Sequence, residues 1–397
     1  MTHPRPDFQN TEVAFKHLSD LDLYRAWTLF RTINVKPLVL AGPPLVTAAL
    51  KLRLPIQGLL RATVFKQFCG GETLEKCRET INQLTKGGVY SILDYGVEGE
   101  KSEDGFNAAM EEVLKTVTEA KQNPRIPFCV FKLTAIARFE LLEVVSKSGT
   151  VVVPQELSDE WQRVENRVSA ICEAAIKADK CVMIDAEETW IQPAIDHLAL
   201  MMMRQHNLDT GKIYTTIQMY RSKGLADVNA LLLRGTSEGF IPAIKLVRGA
   251  YMEKERERAS LLKYESPIHP DKNATDRAYN QALKSILASD QRANLCAGTH
   301  NSESSRVTID LMAHAHIDAK SPRVWFAQLL GMSDDLTFNL AHAGYQAAKY
   351  VPYGPIAAVL PYLFRRAREN TSIAGQSGRE LQLIERELRR RSGKKTD

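Results

Sequence analysis

Eight short apolar runs, each about the length of a strand, recur along most of this chain. Nearly every run is followed by a segment whose apolar residues repeat at helical spacing, as in residues 192–204 and 356–369. Runs this apolar are typical of strands buried on both faces, which occur in parallel sheets covered by helices. The predicted strands are residues 89–96, 128–136, 181–186, 213–220, 241–247, 293–299, 324–330 and 347–351.

Eight strand–helix units over roughly 280 residues predict a closed (β/α)8 barrel. A doubly wound open sheet is the alternative, but no G-x-G-x-x-G opens the first unit. The residues upstream repeat apolar positions at helical spacing and contain few strand-like runs, so they predict a helical N-terminal arm. We therefore expect an arm over 1–86, a barrel over 87–372 and a basic C-terminal helix or tail over 373–397.

Composition excludes several classes of protein. The formal net charge is +5, of which +3 belongs to residues 379–397, so the charge of the body does not call for nucleic-acid binding. Six cysteines without a C-x-x-C pair favour a reducing compartment. Residues 1–10 lack the features of a signal or transit peptide. The apolar run 37–50 is interrupted by prolines and is too short to span a bilayer; it packs on the body or lies at a membrane surface.

Charged or polar side chains stand at the carboxyl ends of several predicted strands, which is where the chemistry of parallel barrels collects. One such residue is often a structural pair, but burial of many charges at the same end is costly unless they are paired or used. We therefore predict an anion-binding cleft there. The residues concerned are Lys132, Asp185, Glu187, Gln218, Tyr220, Lys245, Arg248, Thr299, His300 and Tyr350.

A second group of polar residues lies on the helix predicted after the last strand. Tyr362, Arg365, Arg366 and Glu369 are spaced i, i+3, i+4 and i+7, which places them on one helix face. Two adjacent guanidiniums suit a carboxylate or a phosphate. An ordinary solvated basic face is the alternative. His314 and His316, at i and i+2, do not point at one metal ion, and we predict no metal site.

With these residues assembled, the chain resembles the proline dehydrogenases, in their monofunctional, mitochondrial-like branch. Lys245 stands where the bifunctional bacterial members usually have arginine. The resemblance covers about residues 87–372 in family order. Its blocks are SILDYGV at 91–97, FKLTA at 131–135, IDAEE at 184–188, KLVRGAY at 245–251, THN at 299–301, QLLGM at 328–332, YVPYGP at 350–355 and YLFRRAREN at 362–370.

The resemblance implies oxidation of L-proline to 1-pyrroline-5-carboxylate, the first step of proline catabolism to glutamate. It implies non-covalent FAD, which takes a hydride from proline C5 at its N5, and a membrane quinone that reoxidises the flavin. That acceptor gives the basic tail and residues 37–50 a reason to contact a membrane peripherally. Two locations follow: the cytoplasm, at the inner membrane of a bacterium, or the mitochondrial matrix and inner membrane, with the leader absent.

The resemblance also implies a role for each matching residue. Asp185 and Lys245 match the catalytic positions. The proline-binding positions are Lys132, Tyr251, Leu329, Tyr350, Tyr362, Arg365 and Arg366, with the two arginines and Lys132 on the carboxylate. The FAD-binding positions are Ala186, Gln218, Lys245, Arg248, Gly249, Ala250, Thr299, His300 and Glu369.

Three alternatives stay open. A hydroxyproline dehydrogenase of the same family is one, although the phenol of Tyr350 would crowd a ring hydroxyl. A Schiff-base lyase on the same barrel is the second, with Lys132 or Lys245 as nucleophile. The third is a non-catalytic protein that binds anions through the arginine helix.

Overall fold

A computed structural model of the chain describes residues 3–33, 36–52, 54–96, 100–288, 293–372 and 376–393, with the side chains of 36–41, 47, 50, 367–372, 376 and 377 left out. The strands pair in parallel and close in chain order from β1 to β8 into a barrel, which confirms the predicted (β/α)8 fold and rules out the open sheet. The strands are β1 Tyr90–Tyr95, β2 Phe128–Lys132, β3 Cys181–Asp185, β4 Ile213–Gln218, β5 Ala243–Val247, β6 Asn294–Gly298, β7 Val324–Leu329 and β8 Ala347–Tyr353.

Helices precede the barrel, separate its strands and follow the last one. Before β1 come α1 Thr11–Phe15, α2 Asp20–Ile33, α3 Lys36–Lys51, α4 Gln57–Leu60, a π-helical turn Arg61–Phe65, α5 Lys66–Phe68 and α6 Leu74–Lys86. Between strands lie α7 Glu103–Gln122, α8 Leu133–Ile136, α9 Phe139–Ser146, α10 Ser158–Lys177, α11 Gln192–His206, α12 Gly224–Glu238, α13 Met252–Leu262, α14 Lys272–Ala288, α15 Ser302–His314 and α16 Asp334–His342. After β8 come α17 Ile356–Ser372 and α18 Gln376–Arg391.

All eight predicted strands are present. They could be predicted because strands buried on both faces leave an apolar run in the sequence. Every residue of β4 and of β8 is buried, so neither strand alternates between core and solvent. Such strands are stable only where helices cover the sheet. Among the residues described, no helix combines the length and the apolar character needed to cross a membrane.

The chain divides into two compact units. The middle unit comprises Met1–Pro4 and Val97–Ala327, and the terminal unit comprises Arg5–Gly96 and Gln328–Asp397. In the middle unit, the ring of Phe128 on β2 meets the rings of Tyr214 and Trp325 edge-on, with centroids 5.4 and 5.0 Å apart. Edge-to-face packing of this kind is favourable for large buried rings. It fills the interior with side chains at the start of β2.

The terminal unit has one large apolar cluster to which the N-terminal helices, α17 and α18 all contribute. It includes Phe30 of α2, Leu363 of α17 and Ile384 of α18, each at most 2% exposed. Arg391 at the end of α18 donates hydrogen bonds to the carbonyls of Phe15 and Leu18. The described part of the basic C-terminal segment, α18, is therefore a helix packed on the N-terminal helices of this unit. The predicted domain boundaries at 86 and 372 stay a prediction.

The predicted end of β2 was wrong. The strand ends at Lys132, four residues before the predicted end, because α8 begins at Leu133 and the Glu187 carboxylate binds the N–H and hydroxyl of Thr134 in its first turn. A 3-10 turn over Gln155–Leu157 leads into α10.

Candidate active site

Asp185 and Lys245 form a buried ion pair inside the middle unit. The Lys245 Nζ lies 2.7 Å from the Asp185 Oδ1, and the two residues are 6% and 8% exposed respectively. Thr216, on the intervening strand β4, is in register with Lys245 and donates to the same carboxylate oxygen at 3.2 Å. A buried charge is stable when it is paired and hydrogen-bonded. The two predicted catalytic residues are thus held together from alternate strands of the barrel.

Gln218, at the end of β4, joins two loops. Its Nε2 donates to the carbonyl of Glu187 at 2.7 Å, and its Oε1 accepts the N–H of Ala250 at 3.1 Å. The residue is 2% exposed. A side-chain amide with both ends satisfied cannot rotate freely. Gln218 therefore fixes the loops after β3 and β5 in relation to each other.

Arg248, just after β5, is bound from three directions. It donates to Asp276 at 2.7 Å, to Thr299 at 2.5 Å and to Ser304 at 3.0 Å, and its guanidinium carbon lies 4.5 Å from the Tyr279 ring centroid. Burial opposes ionisation of Asp276, yet hydrogen bonds from Lys272 and Arg248 hold the pKa of Asp276 below its usual value. The cation is thereby fixed in orientation beside a carboxylate that stays charged.

Gly249 has a conformation that other residues adopt at a cost. Its φ is +138°, and a Cβ there would approach the ring of Tyr220 to 2.5 Å. Gly249 and Ala250 are both exposed. A glycine in this position lets main-chain groups be approached closely by a ligand.

Thr299 and His300 lead into α15, whose N-terminus is already capped. The side chain of Asn301 accepts the N–H groups of Glu303 and Ser304 at 2.8 and 3.1 Å. Backbone N–H groups at a helix N-terminus can bind a phosphate. Two of the N–H groups of this helix are already taken by the cap. His300 itself is half-buried.

Lys132 is half-buried at the end of β2 and adjoins the Glu187–Thr134 hydrogen bonds. The Glu187 carboxylate accepts the N–H of Thr134 at 3.0 Å and its hydroxyl at 2.5 Å. Burial raises the pKa of Glu187 to about 7, although both bonds and the charge of Lys132 oppose the rise. Glu187 was assigned to the cleft by charge alone. Its contacts show that it holds the main chain next to Lys132.

The remaining predicted positions of the middle unit, Ala186 and Tyr251, are both buried. Ala186 follows Asp185 directly. Tyr251 immediately precedes α13, and the Lys254 Nζ lies 5.4 Å from its ring centroid, a distance suited to a cation–π contact.

In the terminal unit, α17 carries the predicted arginine face. Tyr362 and Arg366 are 7% and 8% exposed, and the Arg366 guanidinium carbon lies 5.1 Å from the Tyr362 ring centroid. Arg365 is half-buried. Tyr362 also belongs to the apolar cluster, so the face is buried and is not the solvated alternative. Glu369 lies among the residues whose side chains are outside the described part.

Leu329 and Tyr350 lie on neighbouring segments of the same unit. Leu329, the last residue of β7, is half-buried and packs on the apolar cluster. Tyr350 on β8 is 7% exposed, and its carbonyl accepts the N–H of Leu330 at 2.9 Å. This bond sets the main chain after Leu329 against β8.

Several residues in these contacts were not predicted. Thr216, Asp276 and Ser304 hold Asp185 or Arg248 in place. Asp276 and Ser304 are 28 and 56 residues from Arg248 along the chain, and each lies on a helix with ordinary polar neighbours. No local pattern distinguishes them. Thr216 follows Thr215 within the otherwise mostly apolar strand β4, which was a weak signal of an inward-facing polar group.

The strands form a closed parallel barrel, with a buried ion pair and ordered cations near their carboxyl ends. This arrangement is that of the class of (β/α)8-barrel enzymes. The family model described as "Proline dehydrogenase" matches residues 77–379. The chain belongs to the proline dehydrogenase family, and it is an enzyme of that family.

Relatives in bacteria, plants and animals span most of the chain. It is 34% identical to the carbapenem antibiotics biosynthesis protein CarD of Pectobacterium carotovorum subsp. carotovorum, covering 84% of this chain and 86% of that protein. It is 29% identical to the mitochondrial proline dehydrogenase 1 of Arabidopsis thaliana, covering 98% and 89%. It is 31% identical to the hydroxyproline dehydrogenase of Xenopus laevis, covering 95% and 89%.

Solved structures support the fold. The proline utilization A protein of Bdellovibrio bacteriovorus superposes with a TM-score of 0.67 over 92% of this chain and 37% of that one, at 18% identity. At this identity the likeness concerns the fold alone. It agrees with the closed barrel described above.

Proposed function

We propose that this enzyme oxidises L-proline to 1-pyrroline-5-carboxylate with non-covalently bound FAD and passes the electrons to a membrane quinone. The observation that carries the proposal is the buried Tyr362–Arg366 pair on α17, within a chain that matches the proline dehydrogenase family. A guanidinium held over an aromatic ring has a fixed direction and can bind a carboxylate with two parallel hydrogen bonds. Arg365, next to Arg366 on α17, adds positive charge for the same carboxylate.

Substrate orientation is the main task of the protein in such a reaction. When bound, the flavin accepts a hydride from proline C5. The residues of the chain hold the pyrrolidine ring by its carboxylate, and Leu329, Tyr350 and Tyr362 of the terminal unit pack on its apolar face. Fixing both reactants in this way accounts for a large part of catalysis in hydride transfer.

The residues assigned to FAD fit a flavin nucleotide. Gly249 packs against the ring of Tyr220 where no side chain would fit, and its main chain is exposed beside Ala250. Arg248 offers a fixed cation, Gln218 a fixed amide, and Thr299 and His300 further polar groups. We assign Lys245 to the cation that faces the flavin ring, with Asp185 as the acid that fixes its position. Ala186 and Glu369 complete the proposed set.

Spectroscopy of the purified protein tests the proposal. We expect a yellow protein with flavin absorbance near 450 nm (on the order of one FAD per chain). Under anaerobic conditions L-proline should bleach that band as the imine product forms, and a quinone should then restore it. A colourless protein that neither binds added FAD nor reduces a dye with proline would exclude the dehydrogenase.

The same experiments address the lyase alternative. The Lys245 Nζ is engaged in an ion pair with Asp185 at 2.7 Å, so it is not placed to attack a carbonyl. Borohydride should therefore trap no adduct between a substrate and Lys245 or Lys132. A trapped lysine adduct without flavin reduction would favour the lyase.

Hydroxyproline is the second candidate substrate, because one of the similar proteins is the hydroxyproline dehydrogenase of Xenopus laevis. We expect Tyr350 to disfavour it by crowding a ring hydroxyl. Comparison of kcat/KM for L-proline and trans-4-hydroxy-L-proline decides between them. Tyr350→Ser should raise the ratio of hydroxyproline to proline activity, while a wild type that prefers hydroxyproline would reverse the assignment.

A quinone acceptor implies contact with a lipid surface. Leu45 of α3 and Leu59 of α4 are each 66% exposed, and Leu52 and Leu54 between them are 72% and 48% exposed. Exposed leucines close together in sequence suit a peripheral membrane contact. We expect Leu45→Ser/Leu52→Ser to weaken flotation with vesicles of phosphatidylcholine and cardiolipin, with Leu208→Ser as an exposed leucine control. Equal flotation of all three proteins would argue against this contact.

A further inference from the structure

Lys349 of β8 is a completely buried lysine that the proposed function does not use. It is 0% exposed, and its Nζ lies 2.7 Å from the Asp334 Oδ1. The same nitrogen donates to the carbonyl of Met332 at 2.5 Å and to that of Leu329 at 3.4 Å. All these partners belong to the terminal unit. The ammonium therefore has two carbonyls as hydrogen-bond acceptors and one carboxylate as its ion-pair partner.

One carbonyl is that of Leu329, the last residue of β7, and the other is that of Met332, in the connection from β7 to α16. We call residues 328–333, which comprise the last two residues of β7 and this connection, the β7–α16 loop. Its backbone is left-handed at two points, Gly331 with φ +73° and Ser333 with φ +52°, and only Ser333 is strained by it, because glycine adopts such angles freely. Non-glycine residues in this region cost about 1–2 kcal/mol. Such a loop keeps its shape only when surrounding groups fix it.

Other tethers bind the same loop from different elements. The carbonyl of Gly331 accepts the Nε2 of Gln67 at 3.0 Å, and the N–H of Ser333 donates to Glu380 at 2.6 Å. The N–H of Leu330 donates to the carbonyl of Tyr350 at 2.9 Å. Lys349 differs from these tethers because it binds two carbonyls of the loop and the first residue of α16 at once.

Lys349 also adjoins Tyr350 in β8. Successive side chains of a strand point to opposite faces of the sheet. Lys349 contacts Asp334 of α16, so it points to the helix layer, and the side chain of Tyr350 points to the barrel interior. One short stretch of β8 therefore supplies both Tyr350 and the support beneath Leu329.

We propose that Lys349 is a positioning residue that sets the main chain of Leu329, and with it the wall of the proline site, through the Leu329 and Met332 carbonyls. The inference rests on the proposed function, which assigns Leu329 and Tyr350 to the pyrrolidine ring. Lys349 does not touch the substrate. It acts by fixing the β7–α16 loop, and its loss should affect proline affinity more than the flavin or its rate of reduction.

The test must avoid an unpaired buried charge, since removal of one partner from a buried pair destabilises a protein strongly. The double variant Lys349→Met/Asp334→Asn removes both charges together and keeps the side-chain volumes similar. Arg391→Met is a matched control in the same unit. Arg391 also binds two main-chain carbonyls, of Phe15 and Leu18, and two carboxylates, of Asp20 and Glu387, but none of them lies in the loop.

Two measurements on the FAD-loaded full-length enzyme decide the matter. Hydrogen exchange of peptides covering 328–333 should be at least about tenfold faster in the double variant. The KM for proline should rise about tenfold, with flavin content unchanged and flavin reduction at saturating proline within about twofold of wild type. Arg391→Met should lower Tm while leaving the exchange of the loop and the KM unchanged.

Each other outcome overturns the inference. Unchanged exchange would mean that Lys349 does not hold the loop, and faster exchange with unchanged KM would mean that the loop does not set proline binding. If the double variant does not fold, Lys349→Arg keeps the charge but displaces it, and an unchanged KM in that variant overturns the inference as well. A wild type that proline cannot bleach would refute the proposed function, while hydrogen exchange would still decide whether Lys349 holds the loop.

Discussion

Arg366 is a buried cation whose direction is set by its own helix. It is 8% exposed, and the ring that its guanidinium contacts belongs to Tyr362, one helical turn earlier. Arginine suits this place because its planar fork can stack on the ring and still present two N–H groups to a carboxylate. A lysine would keep the charge but lose both properties.

Arg366→Lys should therefore raise the KM for proline by roughly 10- to 100-fold, the loss expected for one bidentate charged contact. Bound FAD should remain, because Arg366 is assigned to the substrate. Steady-state kinetics together with flavin absorbance check this, with the exposed Arg389→Lys on α18 as control. Loss of flavin with unchanged proline affinity would contradict the assignment.

Lys245→Ala should slow flavin reduction at least about tenfold, because the cation assigned to the flavin ring disappears and Asp185 loses its partner. Stopped-flow bleaching at saturating proline measures this rate. The control is Lys254→Ala, which removes a mostly exposed lysine that pairs with Glu188. A rate equal to wild type in Lys245→Ala would reject the role of Lys245.

Single residues show what sequence can and cannot predict. The helical spacing of Tyr362 and Arg366 was sufficient to place them together, because a helix fixes which residues share a face. The partners of Arg248 were not predictable, since Asp276 and Ser304 come from other elements. No role was predicted for Lys349, although a lysine within an apolar strand is unusual. Only its contacts reveal what it binds.

At the scale of elements, the eight strands were predictable because burial on both faces leaves an apolar run in the sequence. The ends of the strands were less predictable. β2 stops at Lys132 since Glu187, 53 residues later than Thr134, binds the first turn of α8. A long-range hydrogen bond of this kind leaves no trace in the local pattern, and the same holds for the conformation of the β7–α16 loop.

The β7–α16 loop offers a test at this scale through Gly331. Gly331→Ala would place a Cβ 2.1 Å from the carbonyl oxygen of Gln67, far inside van der Waals contact, at φ +73°. Gly149→Ala is a matched control, with φ +78° and nothing within 4 Å. We expect the control to cost about 1–2 kcal/mol of the free energy of unfolding, from the backbone angle alone.

Gly331→Ala should cost about 1–3 kcal/mol more than Gly149→Ala, because backbone must move as well. Urea unfolding of both variants measures the difference, and the KM for proline should rise in Gly331→Ala only. Equal costs for the two variants would show that the loop accommodates the methyl group and is not held as tightly as its hydrogen bonds indicate.

At the scale of the whole molecule, buried carboxyls determine how stability depends on pH. Burial raises the pKa of Glu187 to about 7, that of Asp196 to about 6 and that of Glu380 to about 8. The opposite case is Glu160, where the hydrogen bond from Arg138 outweighs burial and lowers the pKa. The two kinds of carboxyl affect stability in different ranges of pH.

For Glu187 the folded state holds its proton more tightly than the unfolded state does. Between its ordinary pKa of 4.5 and about 7, the folded protein is protonated at this site while the unfolded chain is not. The free energy of unfolding therefore falls as pH rises through this window, by about 3 kcal/mol for this one group, and levels off above it. Glu160 acts in the other direction: its contribution is present above pH 4.5 and is lost as pH falls through its lowered pKa.

Glu187→Gln should remove this fall of the unfolding free energy with rising pH, because the amide resembles the protonated acid at every pH. Denaturation of wild type and variant should be measured at a series of pH values from about 4 to about 8 (an interval set by these pKa values). The two curves of unfolding free energy against pH should converge at the acidic end and separate above it, with the variant the more stable near pH 8. Glu160→Gln should instead be the less stable at neutral pH, and its deficit should shrink toward acid. Parallel curves for Glu187→Gln and wild type would mean that Glu187 titrates normally and that its contacts with Thr134 compensate for burial.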